Sequence, residues 1–176
     1  MIKKKVNVIP IKLSKSSKRE LDQNLLLFFV GKTRNSSRIL NAQIKLIKEK
    51  NKDTIESLNY AKELAQKMYN SLKKSDITNF GYYLHEGWMA KRKFTRTVSN
   101  QKIDKIYHKA LKSGAIGGKL TGAGGGGHML LYCDIKKQKN LISEMKKLGL
   151  TQVNFKLYNR GSSILNLYDY MEKQLR

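Results

Sequence analysis

Gly117-Gly118-Lys119-Leu120-Thr121-Gly122-Ala123-Gly124-Gly125-Gly126-Gly127 runs straight into His128-Met129-Leu130-Leu131-Tyr132-Cys133. Eight of the first eleven residues carry no side chain beyond the methyl of Ala123, so the backbone there can enter positive φ and let another surface come close. A flexible linker is a poor reading, because Leu120, Ala123 and the apolar run 129–133 offer packing on both sides. The stretch predicts a strand around 119–121, a glycine turn, and a buried strand over 128–133. Two roles stay open for the turn. Its bare N–H groups can hold an anion, or the glycines serve only a tight inter-strand turn with close backbone contact.

Working back from the turn, Gly114 stops a helix over about 101–113, whose inward residues are Ile103, Ile106, Tyr107, Ala110 and Leu111 and whose cap is Ser99 or Asn100. His108 falls on its exposed side. Asp76 caps a helix expected to run from Ile77 to about Val98, burying Phe80, Tyr83, Leu84, Trp88 and Phe94. His85 and Glu86 sit on it, but adjacent helical residues diverge by about 100° and no HExxH spacing follows, so no metal site is expected. Lys91 and Arg92 are placed to neutralise a phosphate, with no proton-transfer role. A further helix begins at Asp53 or Thr54 with an apolar stripe through Ile55, Leu58, Leu64, Met68 and Leu72.

Before it, LLLFFV is a strand over 24–30 whose two alternating sets are both apolar, which predicts cover on both faces. The loop after Gly31 places Lys32, Arg34 and Arg38 beside a helix start capped by Ser36 or Ser37. Free N–H groups and the helix dipole favour an anion there, and Arg34 is the preferred candidate. That helix carries Ile39, Ala42, Ile44, Leu46 and Ile47 as an apolar stripe. Residues 1–11 read as a basic arm with a short extended segment, and 12–24 as a polar turn or short helix with Ser17 and Glu20 as a capping pair. Downstream of the glycines come a helix from Asp134 to Gly149, a strand over 153–159, and a terminal helix after Ser162 or Ser163. The order of elements defines an α+β layer structure.

The chain has 176 residues, enough for one sizeable core, and 40% of them are hydrophobic. No apolar run approaches the roughly 18 residues needed to cross a bilayer, no secretory signal is visible, and the expected address is the cytoplasm. The single cysteine, Cys133, excludes an internal disulfide. Lysine and arginine outnumber the acids 36 to 13, a formal net charge of +23. The lysines are scattered in ones and twos along every helix, so weak, salt-sensitive adhesion to polyanions is expected and specific nucleic-acid binding is not.

Three separated segments, FFVGKTRNSSRIL, LHEGWMAKRK and KSGAIGGKLTGAGGGGHMLLYC, resemble in sequence and in order the carboxy-terminal domain of the galactokinase, homoserine kinase, mevalonate kinase and phosphomevalonate kinase (GHMP) superfamily. Within it they are most similar to D-glycero-D-manno-heptose phosphate kinases. The resemblance implies a ferredoxin-like antiparallel sheet with additional helices over 24–176, with 1–23 a basic arm and remnant of an interdomain connection. It implies ATP-dependent phosphoryl transfer to a heptose phosphate, with Mg2+, by a two-domain enzyme. Its Pro-x-x-x-Gly-Leu-Gly-Ser-Ser-type phosphate loop has no counterpart in this sequence. The resemblance places Gly122, Ala123, Gly124, Gly125, Gly126 and Gly127 beside the nucleotide phosphates, and Arg34, Lys91 and His85 toward the sugar phosphate, with His85 equally readable as a boundary histidine. No catalytic or metal-binding residue is carried over. An amino-terminal kinase domain or a second copy is the expected partner, and the chain alone is expected to bind ATP weakly and turn over little. The alternatives are a non-catalytic or homo-oligomerising domain and, further off, a basic nucleic-acid-binding protein.

Overall fold

A computed structural model describes residues 8–31 and 35–157. The order is α1 (Lys15–Asn24), β1 (Leu25–Gly31), α2 (Ser36–Lys48), α3 (Lys52–Lys73), α4 (Ile77–Arg92), α5 (Gln101–Lys112), β2 (Ala115–Leu120), β3 (Gly127–Cys133), α6 (Ile135–Lys147) and β4 (Thr151–Val153). The strands form one sheet in the order β2-β3-β1-β4, every neighbouring pair antiparallel. With helices crossing between β1 and β2 and again between β3 and β4, this is the split βαβ arrangement of ferredoxin-like folds. Four helices, α2 to α5, occupy the first crossover, and α6 alone the second.

The sheet is packed on both faces. Leu26, Phe28 and Val30 of β1 point, at the strand period of two, into a cluster with Leu120, Met129 and Leu131 of the neighbouring strands and Ile106, Ala110, Leu141 and Met145 of α5 and α6. Phe28 is 1% exposed, a burial contributing about 2 kcal/mol or more. The opposite face holds a smaller cluster of Leu21, Leu25, Ile77, Leu84 and Tyr132 under α1 and α4. That cover stops short. Phe29 is 40% exposed, so β1 is not sheathed along its whole length as its all-apolar sequence predicts. It lies instead against its cross-strand neighbour His128, with ring centroids 5.4 Å apart.

Several boundaries differ from the sequence reading. Residues 15–24 are helical, and the cap is Ser14, whose hydroxyl accepts from the Ser17 amide at 3.0 Å; Ser17 itself is buried. Asn35, not Ser36 or Ser37, caps α2. Helix α4 ends at Arg92 rather than near Val98, because the Phe94 carbonyl takes a hydrogen bond from the Thr54 hydroxyl of α3 and Thr95 and Thr97 turn the chain. Phe94 packs against the core from this turn and Val98 is buried in it, which is why they prolong a helical apolar pattern without being helical. β2 begins at Ala115, earlier than expected, and β4 is Thr151–Val153 rather than 153–159. The expected terminal helix, Arg34 and the first seven residues lie outside the described residues.

Candidate functional site

The glycine turn joins β2 to β3, and its base is closed by the Thr121 amide donating to the His128 carbonyl at 2.9 Å. From there the loop folds back on the preceding helices. The Gly125 amide donates to Val98 O at 2.8 Å, and the Lys91 ammonium, at the end of α4, donates to Gly122 O. Gly122, Gly124, Gly125 and Gly127 all have positive φ, at 70°, 117°, 76° and 91°. Gly124 to Gly127 are buried while Gly122 is exposed. A Cβ on Gly124 would stand 2.7 Å from Val98 O and 3.1 Å from Val98 Cα, so the residue must be glycine for space as well as for torsion. Ala123 packs on the main core. The hairpin is therefore ordered by its own contacts, and two of its amides, Thr121 and Gly125, already have acceptors inside the protein.

The strand leading into the turn is glycine for a related reason. A Cβ on Gly117 would lie 2.2 Å from Gly81 O and 2.8 Å from His85 N, so β2 can reach α4 only without a side chain at that position. Gly81 in turn leaves room for the Tyr132 ring, 2.4 Å from where its Cβ would be. The segments LHEGWMAKRK (84–93) and GGKLTGAGGGG (117–127), well separated in the chain, are thus held face to face.

The contact faces separate the candidate residues. His85 Nδ1 lies 2.9 Å from the Tyr107 hydroxyl, with the rings stacked at 5.9 Å, and Trp88 meets the same tyrosine edge-on at 6.1 Å. Burial raises the Tyr107 pKa, so the phenol stays protonated. Lys91 is six residues further on, about 9 Å along the axis and about 120° around it. It lines a cleft of ≈ 230 Å³ between α3 and α4. The structure does not bring His85 and Lys91 to one site. Arg92 pairs with Asp104 at 2.9 Å, and Ser99 donates to that carboxylate at 2.6 Å, so Arg92 fastens α4 to α5.

Lys119 shares the cleft with Lys91 and was not singled out by sequence. The available signal was strand alternation, which puts Lys119 on the side of β2 that Gly117 presses against α4. Among the described residues no carboxylate pairs with either lysine. Burial, and then the charge of Lys119, lower the Lys91 pKa to about 8. His85 lines a second cleft, ≈ 370 Å³, in which Asp53, Glu56 and Glu86 contribute negative charge and the Tyr60 hydroxyl donates to Glu86. Lys93 is the one lysine or arginine on that second lining, against three carboxylates, so an anion favours the lysine cleft over this one. Among the described residues no His, Cys, Asp and Glu cluster fits a metal ion.

Comparison with known proteins bears on this arrangement. Residues 68–150 match the family model described as GHMP kinases C terminal. D-glycero-alpha-D-manno-heptose 7-phosphate kinase of Campylobacter jejuni is 31% identical over 144 residues, covering 82% of this chain and 42% of that protein. Among solved structures, L. major mevalonate kinase in complex with R-mevalonate superposes with a TM-score of 0.64 at 18% identity, over 70% of this chain and 37% of that one. A D-glycero-D-manno-heptose 1-phosphate kinase from Bacteroides thetaiotaomicron does so with a TM-score of 0.56 at 19% identity, over 87% and 42%. At those identities the two structures establish the fold. The chain belongs to the GHMP kinases and carries their carboxy-terminal domain. It spans less than half the length of the curated relatives it matches.

Proposed function

We propose that this chain is the carboxy-terminal part of an ATP-dependent sugar kinase that transfers a phosphoryl group from ATP to a hydroxyl of a heptose phosphate, working with an amino-terminal kinase domain. The observation that carries this reading is the glycine hairpin itself, ordered and pinned from below by Val98 and Lys91 with its Gly122 tip open to solvent. A rigid, side-chain-free tip lets nucleotide phosphates approach closely, and such positioning is most of what phosphoryl transfer asks of a protein. In this reading residues 122–127 are the nucleotide-side loop, with Gly122 presenting the surface and the buried Gly124–Gly127 supporting it. Lys91 holds it in place and adds positive charge, and Arg34 remains the candidate for the sugar phosphate. His85, tied to Tyr107, positions α4 against β2 and α5. Among the described residues no group of three or more His, Cys, Asp or Glu is placed to hold Mg2+. The likeness to a heptose 7-phosphate kinase supports the substrate class.

Two measurements test the reading. The chain alone, with ATP and D-glycero-D-manno-heptose 7-phosphate in a coupled ADP-release assay, is expected to give no turnover above background; rates of about 1–100 s⁻¹, ordinary for kinases, would show that it needs no partner domain. Substituted for the carboxy-terminal part of the C. jejuni relative, the chain is expected to restore heptose-phosphate-dependent ADP release. A folded chimaera that consumes ATP only with another acceptor refutes the substrate assignment.

A second reading has its own observation. Leu40, Ile44 and Ile47 fall on one side of α2 at helical spacing and are all exposed, at 48%, 48% and 40%. A stripe of this kind is a contact surface, for the amino-terminal domain or for a second copy.

A further inference from the structure

The cleft between α3 and α4 has a composition that a sugar site does not need. Apart from its two lysines its lining is Ala61, Leu64, Met68, Tyr83 and similar apolar residues, with the Tyr83 hydroxyl the one neutral side-chain hydrogen-bonding group. A polyhydroxylated sugar placed there would leave hydroxyls without partners, at about 1–3 kcal/mol for each buried group left unsatisfied. Its ≈ 230 Å³ exceeds the roughly 150 Å³ in which a dry protein cavity accommodates benzene. Lys91 and Lys119 complete the lining, with no carboxylate against either among the described residues. An ammonium has three donors, and Lys91 uses one on Gly122 O, which leaves two for a ligand.

We propose that this cleft is a separate binding site for a small amphipathic phosphomonoester, with the phosphate between Lys91 and Lys119 and a flat apolar group in the slot lined by Ala61, Leu64, Met68 and Tyr83. The dianionic headgroup matches two cations, and the apolar body matches a lining that has nothing to offer a hydroxyl. Because Lys91 also grips the tip of the glycine hairpin, a ligand here sits one side chain away from the surface assigned above to the nucleotide. The site stands whether or not the chain takes part in phosphoryl transfer, since nothing in the argument for it uses ATP.

Calorimetric titration of the chain at 0.15 M NaCl tests it, with phenyl phosphate, inorganic phosphate and glucose 6-phosphate as probes. Phenyl phosphate is expected to bind at least tenfold more tightly than either of the others. Gly87 borders the slot, and a Cβ added to it meets nothing within 4 Å, so Gly87→Leu fills the slot without straining the helix. That variant is expected to melt no lower than the parent, since Leu has the higher helix propensity, and to lose the tenfold margin. Lys91→Gln is expected to weaken phenyl phosphate about tenfold. Equal binding of the three anions, reporting only the attraction of a strongly basic chain, overturns the proposal. So does a folded Gly87→Leu that keeps the margin, or a folded Lys91→Gln that binds as the parent does. No assay of turnover enters, so failure here and failure of the kinase reading are distinguishable.

Discussion

Gly122 and Gly124 are two residues apart in the same turn and make opposite demands. Both have positive φ, but nothing lies within 4 Å of a Cβ on Gly122, whereas one on Gly124 meets the Val98 backbone. Gly122→Ala is therefore expected to cost about 1 kcal/mol, the left-handed penalty alone. Gly124→Ala should cost about 2 kcal/mol or more as the loop is pushed off Val98. Thermal melts without ligand read the difference, and equal melting temperatures would mean that the loop is shaped by a ligand and not by the fold. Lys91 gives a second test. Its folded pKa, about 8, is below the usual lysine value of 10.5. Below about pH 8 it is charged in both states and the folded protein carries the burial penalty. Between about 8 and 10.5 only the unfolded chain keeps the proton, so Lys91 makes stability rise with pH across that window. The increment is small because the side chain is only half-buried. The melting temperature of the parent minus that of Lys91→Gln should accordingly grow from pH 7.5 to 10; a shrinking difference would mean that native contacts hold the lysine charged. At this scale the glycines were legible, because few other reasons exist for so many in a row, and Lys91 was legible through a family resemblance. Lys119 was not. One lysine among many in a basic chain carries no signal until a neighbouring strand and helix remove its carboxylate partners and give it a cavity wall.

The apolar residues of helix α2 divide: Ile39 is buried and Ala42 and Leu46 are half-buried, while Ile44 and Ile47 join Leu40 in an exposed stripe; α3 buries Leu64 together with the polar Thr54, Ser57 and Ser71. If a second copy covers the α2 stripe, light scattering of the parent should show mass rising with concentration. Ile44→Lys should then be monomeric throughout, with folding stability changed by no more than about 0.5 kcal/mol, as for other exposed positions. A parent that stays monomeric at every concentration leaves the stripe to a partner domain. The existence of the helices was readable from their period, as were three of the six caps: Asp76, Asn100 and Asp134 each accept an amide of the first turn, whereas Ser14, Asn35 and Asn51 cap the other three. On α2 the period was right for Ile39, Ala42 and Leu46 and not for Ile44 and Ile47, since it shows that a face is apolar but not whether this domain covers all of it. Among the described residues, Ile39 is the one buried residue of α2.

The order of helices and strands follows from local pattern, but the sheet order does not. Nothing in LLLFFV states that its neighbours are the strand after the glycines and a three-residue strand near position 152; the family resemblance supplied that. This separation has a consequence for how the chain is made. β1 is the central strand, hydrogen-bonded to β3 on one side and β4 on the other, and β3 does not start until Gly127. During synthesis at roughly 5–20 residues per second, β1 emerges and then waits on the order of 5 to 20 s before its first partner exists. Four helices are completed in that interval beside an apolar strand with both edges open, the kind of segment that pairs with other chains. Nascent chains arrested near residue 125 should therefore be cleaved by protease within residues 25–31, and chains arrested well beyond residue 153, with β3 and β4 clear of the ribosome, should be protected there. Equal protection at both points would mean that the helices shelter the strand before its partners arrive. The hairpin glycines would on this view have a second, temporal role: a turn that needs no side-chain rearrangement closes as soon as it is synthesised and ends the vulnerable period of the strand at the centre of the sheet.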